Sequence, residues 1–156
     1  METITKIYPL VNPMISNILI VDDVPANLQI LCSILEREGY KVRPVTSGKL
    51  ALQVVEKMKP DLILLDIMMQ GMDGFEVCRK LKENPDLAEI PVVFISALND
   101  TSDIVKALNS GGVDYITKPF HAEEVIARVK THLQLYLQKK ELHEQRVVLQ
   151  RLNSEK

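Results

Sequence analysis

Residues 61–77 read DLILLDIMMQGMDGFEV, and the order of chemical types along them marks a strand, a loop and a helix in turn. Leu62 to Leu65 are apolar at four successive positions. A run with no polar face is the pattern of a short strand covered on both sides, and hence of a parallel sheet. Asp66 stops the run. After a loop punctuated by Gly74, the segment from Phe75 to Lys82 takes up helical spacing, so the stretch is one strand followed directly by one helix.

The same unit recurs outward in both directions. Ile18 to Val21 and Val92 to Ile95 are equally continuous, while Val42 to Val45 and Val113 to Ile116 are weaker. Segments 27–38, 49–59 and 101–109 separate them. Their apolar residues recur at three and four, as in Leu28, Leu31 and Leu35 or Leu50, Val54, Val55 and Met58. Gly39, Gly48, Pro60, Pro91 and the pair Gly111 and Gly112 mark joins. Five strand-helix units predict an α/β fold: a five-stranded parallel sheet, doubly wound, with right-handed crossovers. Such sheets bind ligands at the carboxyl ends of their strands, where strand order reverses.

Composition narrows the function. Of 156 residues, 46% are hydrophobic, which supplies a core and excludes disorder for the whole. With 19 Lys and Arg against 21 Asp and Glu, the net charge is −2, and no basic excess is available for a phosphate backbone. The lack of Trp leaves base stacking poorly supplied, so direct nucleic-acid binding is not expected. No run approaches about 20 apolar residues, and no basic start leads into an apolar stretch, so neither a membrane span nor a signal peptide is expected. The expectation is a cytoplasmic protein. Cys32 and Cys78 lie within apolar helical patterns and read as small buried hydrophobes.

The strand ends carry the chemistry. Asp22 and Asp23 end the first strand, Asp66 the third and Ser96 the fourth, and Lys118 with Pro119 follows the fifth. Two carboxylates ~4 Å apart at an effective dielectric near 20 repel by roughly 4 kcal/mol, so an edge that gathers three calls for a cation. All-oxygen donors in an open site suit a hard divalent ion such as Mg²⁺. A lone strand-end Asp is as well explained as a helix cap, and Asp22 is open to that reading. The turn from Asp22 to Ala26 offers two anions and a proline instead of a glycine cradle, which disfavours a flavin or nucleotide phosphate there.

Four segments together resemble a known family. They are Asp22 with Asp23, residues 61–77, PVVFISA from Pro91 to Ala97, and DYITKPF from Asp114 to Phe120. Separations of 43, 30 and 22 residues link Asp23, Asp66, Ser96 and Lys118. The chain is similar over about residues 17–135 to the receiver domain of two-component response regulators. The resemblance implies that Asp66 accepts a phosphoryl group from a histidine kinase or phosphotransfer protein. It implies that Asp23, Asp66 and the main-chain carbonyl of Met68 hold Mg²⁺, with Asp22 acting largely through metal-bound water. It further implies that Lys118 pairs with the phosphoryl oxygens, that Ser96 hydrogen-bonds one of them, that Tyr115 is an aromatic switch, and that the Lys118–Pro119 bond is cis. One departure is visible: Gln70 stands where family members usually carry proline.

The expected function is a phosphoacceptor signalling module that catalyses only its own phosphorylation and dephosphorylation. One alternative is a Mg²⁺-dependent phosphohydrolase with an aspartyl nucleophile, which would normally show a second Asp where this chain has Met68. Another is a receiver-like scaffold that never accepts phosphate.

From Ala122 to Leu152 no Gly or Pro interrupts, giving a helix near 46 Å at 1.5 Å per residue. That exceeds what a domain with a radius of gyration of ~14 Å covers. The expected organisation is an N-terminal arm at 1–16, the receiver domain at 17–135 and a helical or coiled-coil extension at 136–156. Leu135, Leu142 and Leu149 recur every seven residues and Leu152 follows, with Gln138 and Gln145 interrupting, so a weak homodimer is expected. The chain is read as the receiver part of a longer protein, partnered by an output domain or a downstream protein. His121, His132 and His143 are ~16 Å apart along one helix, too far to share a metal, and His143 with Glu144 reads as a solvated face.

Overall fold

A computed structural model describes residues 15–154 and shows the predicted alternation. The elements are β1 (Asn17–Val21), α1 (Pro25–Glu36), β2 (Lys41–Val45), α2 (Gly48–Lys57), β3 (Leu62–Asp66), α3 (Gly74–Glu83), β4 (Val92–Ser96), α4 (Thr101–Asn109), β5 (Asp114–Thr117) and α5 (Ala122–Ser154). The five strands form one parallel sheet in the order β2-β1-β3-β4-β5. Apart from Ile15 and Ser16, the expected N-terminal arm lies outside the described residues, as do the last two positions of the extension. No helix among the described residues is long and apolar enough to cross a membrane.

Strand alternation sorts the core into two layers. Leu19, Val21, Ile63, Leu65 and Phe94 face Ala51 and Val55 of α2, Val77 and Leu81 of α3, and Ala107 of α4. Ile18, Ile20, Leu62, Leu64, Val93 and Ile95 face Leu28, Leu31 and Leu35 of α1 and Val125, Val129 and Leu133 of α5. β3 and β4 are buried at every position, because each is central and covered on both faces. The weaker run in β2 has the opposite cause. It is an edge strand, where Pro44 can lack an N–H without breaking an interior ladder.

α5 spans 33 residues, or about 50 Å. Its last buried residue is Tyr136, and residues 137–154 are exposed throughout. Side chains fix its packed half to the sheet. Arg128 donates to Asp114 Oδ1 at 2.6 Å, and His132 Nε2 lies 2.9 Å from Asp114 Oδ2. Lys139 reaches Glu89 at 2.6 Å. His132 is therefore an anchoring contact to β5, while His143 is exposed.

One close approach positions the functional edge. The N–H of Gly74 donates to the Ile67 carbonyl at 2.9 Å, folding the loop back so that α3 begins against the end of β3. A Cβ at Gly74 would stand 2.3 Å from the Asp66 carbonyl oxygen and 2.8 Å from Ile67 Cα, which only glycine avoids. Both neighbours are backbone, so the clash cannot be relieved by a rotamer change. Gly74→Ala should destabilise the protein by about 1–3 kcal/mol in urea unfolding; an unchanged midpoint would show that the loop yields freely.

Candidate functional site

The sheet order reverses at β1. The chain leaves β1 for β2 on one side and returns to β3 on the other, so the carboxyl ends of β1 and β3 flank the crevice such folds reserve for ligands. Asp22 follows β1 and is fully buried. Its Oδ1 accepts the Val24 N–H at 2.9 Å, which shapes the entry into α1, a helix whose first turn has Pro25 and no side-chain cap. The capping role open to Asp22 is thus partly realised, by one oxygen only. Its Oδ2 lies 3.3 Å from Lys118 Nζ but accepts no hydrogen bond: the two form an ion pair without hydrogen-bonding geometry.

Asp66 closes β3 at 2% exposure. Lys118 Nζ donates to its Oδ2 at 3.3 Å, and its Oδ1 has no partner among the described residues. Asp23 is half-buried, and its Oδ2 accepts the main-chain N–H of Gln70 at 3.2 Å. One oxygen from each of Asp22, Asp23 and Asp66 falls within a set spanning at most 4.8 Å. Met68 stands two residues beyond Asp66 with its side chain exposed, which leaves its main chain as the part suited to a polar site.

Lys118 is delivered by the loop after β5. Its N–H donates to the Ser96 carbonyl at 2.9 Å, and the Lys118–Pro119 bond is cis. Ser96 ends β4 opposite Thr117 and is fully buried; its Oγ accepts the Leu98 N–H at 3.1 Å. Tyr115 is buried in β5, and its hydroxyl donates to the Leu98 carbonyl. Ser96 and Tyr115 therefore hold the same short segment after β4 from two sides.

The electrostatics are unbalanced. Burial, followed by the charge of Asp22, pushes the Asp66 carboxyl up from 3.8 to about 6, against the opposing pull of Lys118. With three carboxylates facing one ammonium group, each close pair repels by roughly 4 kcal/mol at an effective dielectric near 20. Asp66 Oδ1 is buried without a hydrogen-bond donor, and Asp22 Oδ2 has only the charge of Lys118 at 3.3 Å, an arrangement that is costly unless a further cation serves them. The donor set is all oxygen and fits a hard divalent ion.

The site residues expected from sequence, namely Asp22, Asp23, Asp66, Ser96, Tyr115 and Lys118, come together at this edge. Three contributions have no simple sequence signature. The Gln70 N–H is main chain, the Gly74 approach depends on how the loop closes, and the Arg128 and His132 contacts with Asp114 depend on the rotational setting of α5.

Comparison with known proteins shows the family. Residues 18–130 match the family model described as response regulator receiver domain. The response regulator PleD of Caulobacter vibrioides is 46% identical over 118 residues, covering 76% of this chain and 26% of that protein. The DNA-binding response regulator MtrA of Mycolicibacterium smegmatis is 41% identical over 120 residues, covering 77% and 51%. The chain thus spans between about a quarter and a half of these curated relatives. Among solved structures, the signal receiver domain of a signal transduction histidine kinase from Syntrophus aciditrophicus has a TM-score of 0.71 at 40% identity, covering 76% of this chain and 90% of that one. NtrX from Brucella abortus has a TM-score of 0.77 at 32% identity, covering 85% and 30%.

The raised Asp66 carboxyl carries a stability consequence of known sign. Between about pH 4 and 6 the folded state keeps a proton that the unfolded chain has released, so ionised Asp66 costs stability that builds across that window and is fully present above it. In chelator-treated buffer, Asp66→Asn should gain roughly 2–3 kcal/mol over the parent between pH 4 and pH 7.5, measured as the change in their unfolding difference. A difference that stays flat with pH would contradict the charge imbalance.

Proposed function

This chain belongs to the response regulator receiver domain family, and from that premise we propose that Asp66 is its phosphoacceptor. The donor is a phosphohistidine on a kinase or phosphotransfer protein. The observation that carries the reading is Asp66 itself, buried at the end of β3 with Oδ1 unpartnered and Lys118 Nζ 3.3 Å from Oδ2. The same residues do not favour a phosphohydrolase, because Met68 offers no carboxyl at the position such an enzyme uses as acid or base.

In the transfer, the P–N bond to the donor imidazole breaks as a P–O bond to an Asp66 oxygen forms. Asp66 attacks as the carboxylate, and even when raised to about 6 without a cation it is mostly ionised at neutral pH. Charge spreads over the equatorial oxygens during such a transfer, and Lys118 is placed to meet it. Ser96 Oγ would turn from the Leu98 N–H toward a phosphoryl oxygen, which releases one of the two contacts on residues 97–98 and lets Tyr115 resettle. Asp22, Asp23, Asp66 and the Met68 carbonyl would hold Mg²⁺, which when bound would neutralise charge on the Asp66 carboxylate and on the phosphoryl oxygens. The chain acts on itself and turns over no other substrate.

The readout is a protein contact. A net charge of −2 supports protein partners over direct nucleic-acid binding, and a cytoplasmic setting supplies the kinase. Output would pass to a linked domain or a downstream protein. Leu142, Leu149 and Leu152 are about half exposed, and Glu141 and Arg146 flank this seam with opposite charges at positions that meet between parallel helices. With fewer than three heptads and Gln138 and Gln145 in the seam, the extension would support a weak parallel homodimer.

Incubation with acetyl phosphate and Mg²⁺ tests the reading. Intact mass should show one added phosphoryl group, lost with EDTA and absent in Asp66→Asn, and sedimentation of the same samples should show a dimer fraction that changes with phosphorylation. An adduct that survives in Asp66→Asn would sink the assignment, and a monomer in every sample would remove the dimer.

A further inference from the structure

We propose that the main-chain N–H of Gln70 is a positioning donor that competes with a divalent cation for Asp23, and so lowers the cation affinity of this chain. The inference rests on the metal-site reading of Asp22, Asp23 and Asp66 given above. Asp23 is the least buried of the three carboxylates, and its Oδ2 accepts the Gln70 N–H at 3.2 Å across 47 positions of sequence. Gly71, with φ +78°, follows directly and takes the left-handed turn that glycine permits, while the Gln70 side chain is exposed. The contact therefore belongs to the backbone. A proline at this position, which the family resemblance would lead one to expect, has no N–H to donate.

The direction of the effect follows from charge. A hydrogen bond to an ionised carboxylate is stronger than one to a carboxylate whose charge is shared with a bound cation. The Gln70 bond is thus worth more in the cation-free protein than in the cation-loaded one. That difference opposes binding whether the bond persists or breaks. By reciprocity, cation binding must loosen the loop between β3 and α3 at Gln70 by the same factor. This is also the loop that carries Met68.

The experiment compares four proteins by calorimetric Mg²⁺ titration after chelator treatment: the parent, Gln70→Ala, Gln70→Pro, and a chain whose Met69–Gln70 peptide is replaced by an ester. Alanine keeps the donor and should match the parent. Proline and the ester both remove it, and should bind Mg²⁺ about 3- to 10-fold more tightly, the effect of one modest net hydrogen bond. In ¹H–¹⁵N spectra of the parent, the Gln70 amide proton should move upfield as Mg²⁺ saturates the site. Tightening by proline without tightening by the ester would assign the effect to loop stiffness and overturn the proposal, as would an unmoved Gln70 amide. A parent that binds no Mg²⁺ would overturn the metal-site reading as well, and so separates the two failures.

Discussion

One oxygen from each of three carboxylates lies within 4.8 Å of the others, with the Lys118 ammonium group 3.3 Å from two of the three side chains, and the rest of the molecule is arranged to keep them there. Left to themselves the side chains would spread into water, where each repulsion falls to about a quarter of its value at the protein edge. The sheet prevents this. Asp22 and Asp66 are carried on adjacent central strands, β1 and β3, whose register is fixed by continuous burial on both faces. Gly74 lets the next helix close against the carbonyl of Asp66, so the loop cannot drift outward. The unfavourable concentration of charge is thus imposed by apolar packing, and it suits the edge to a cation.

The same edge is tied to the distant end of the molecule by β5 and α5. Lys118 follows β5, while Asp114 at its other end holds Arg128 and His132 of α5. Further along, Tyr136 is buried, so the helix packs on the sheet over several turns before it projects. A change at Ser96 and Tyr115 reaches β5 directly. It would then be passed to the exposed half of α5 through rigid contacts, without a flexible hinge between them.

The sequence disclosed those parts of this arrangement that burial or topology makes obligatory. Leu62 to Leu65 and Val92 to Ile95 announce central strands because a strand covered twice must be apolar throughout. The functional edge was legible because strand ends carry the charges, and the order of Asp23, Asp66, Ser96 and Lys118 fixes which ends. Contacts that depend on orientation were not legible. His132 lies three residues after Val129 and so beside the buried stripe of α5, but that it meets Asp114 depends on how α5 is rotated against β5. Tyr136 sits beside the seam leucine Leu135, yet the tyrosine is buried and the leucine exposed. The bond from Gln70 to Asp23 involves a main-chain donor, which every residue except proline possesses, so its sequence trace is no more than the absence of a proline.

Asp66 is held in a site with too much negative charge for its burial. Side-chain ¹³C carboxyl titration of Asp66 measures this directly, without cation and then with saturating Mg²⁺. A midpoint near 6 without cation, falling by about one unit or more when Mg²⁺ is added, is the predicted result. A midpoint near the ordinary aspartate value of about 4, unmoved by Mg²⁺, would contradict it.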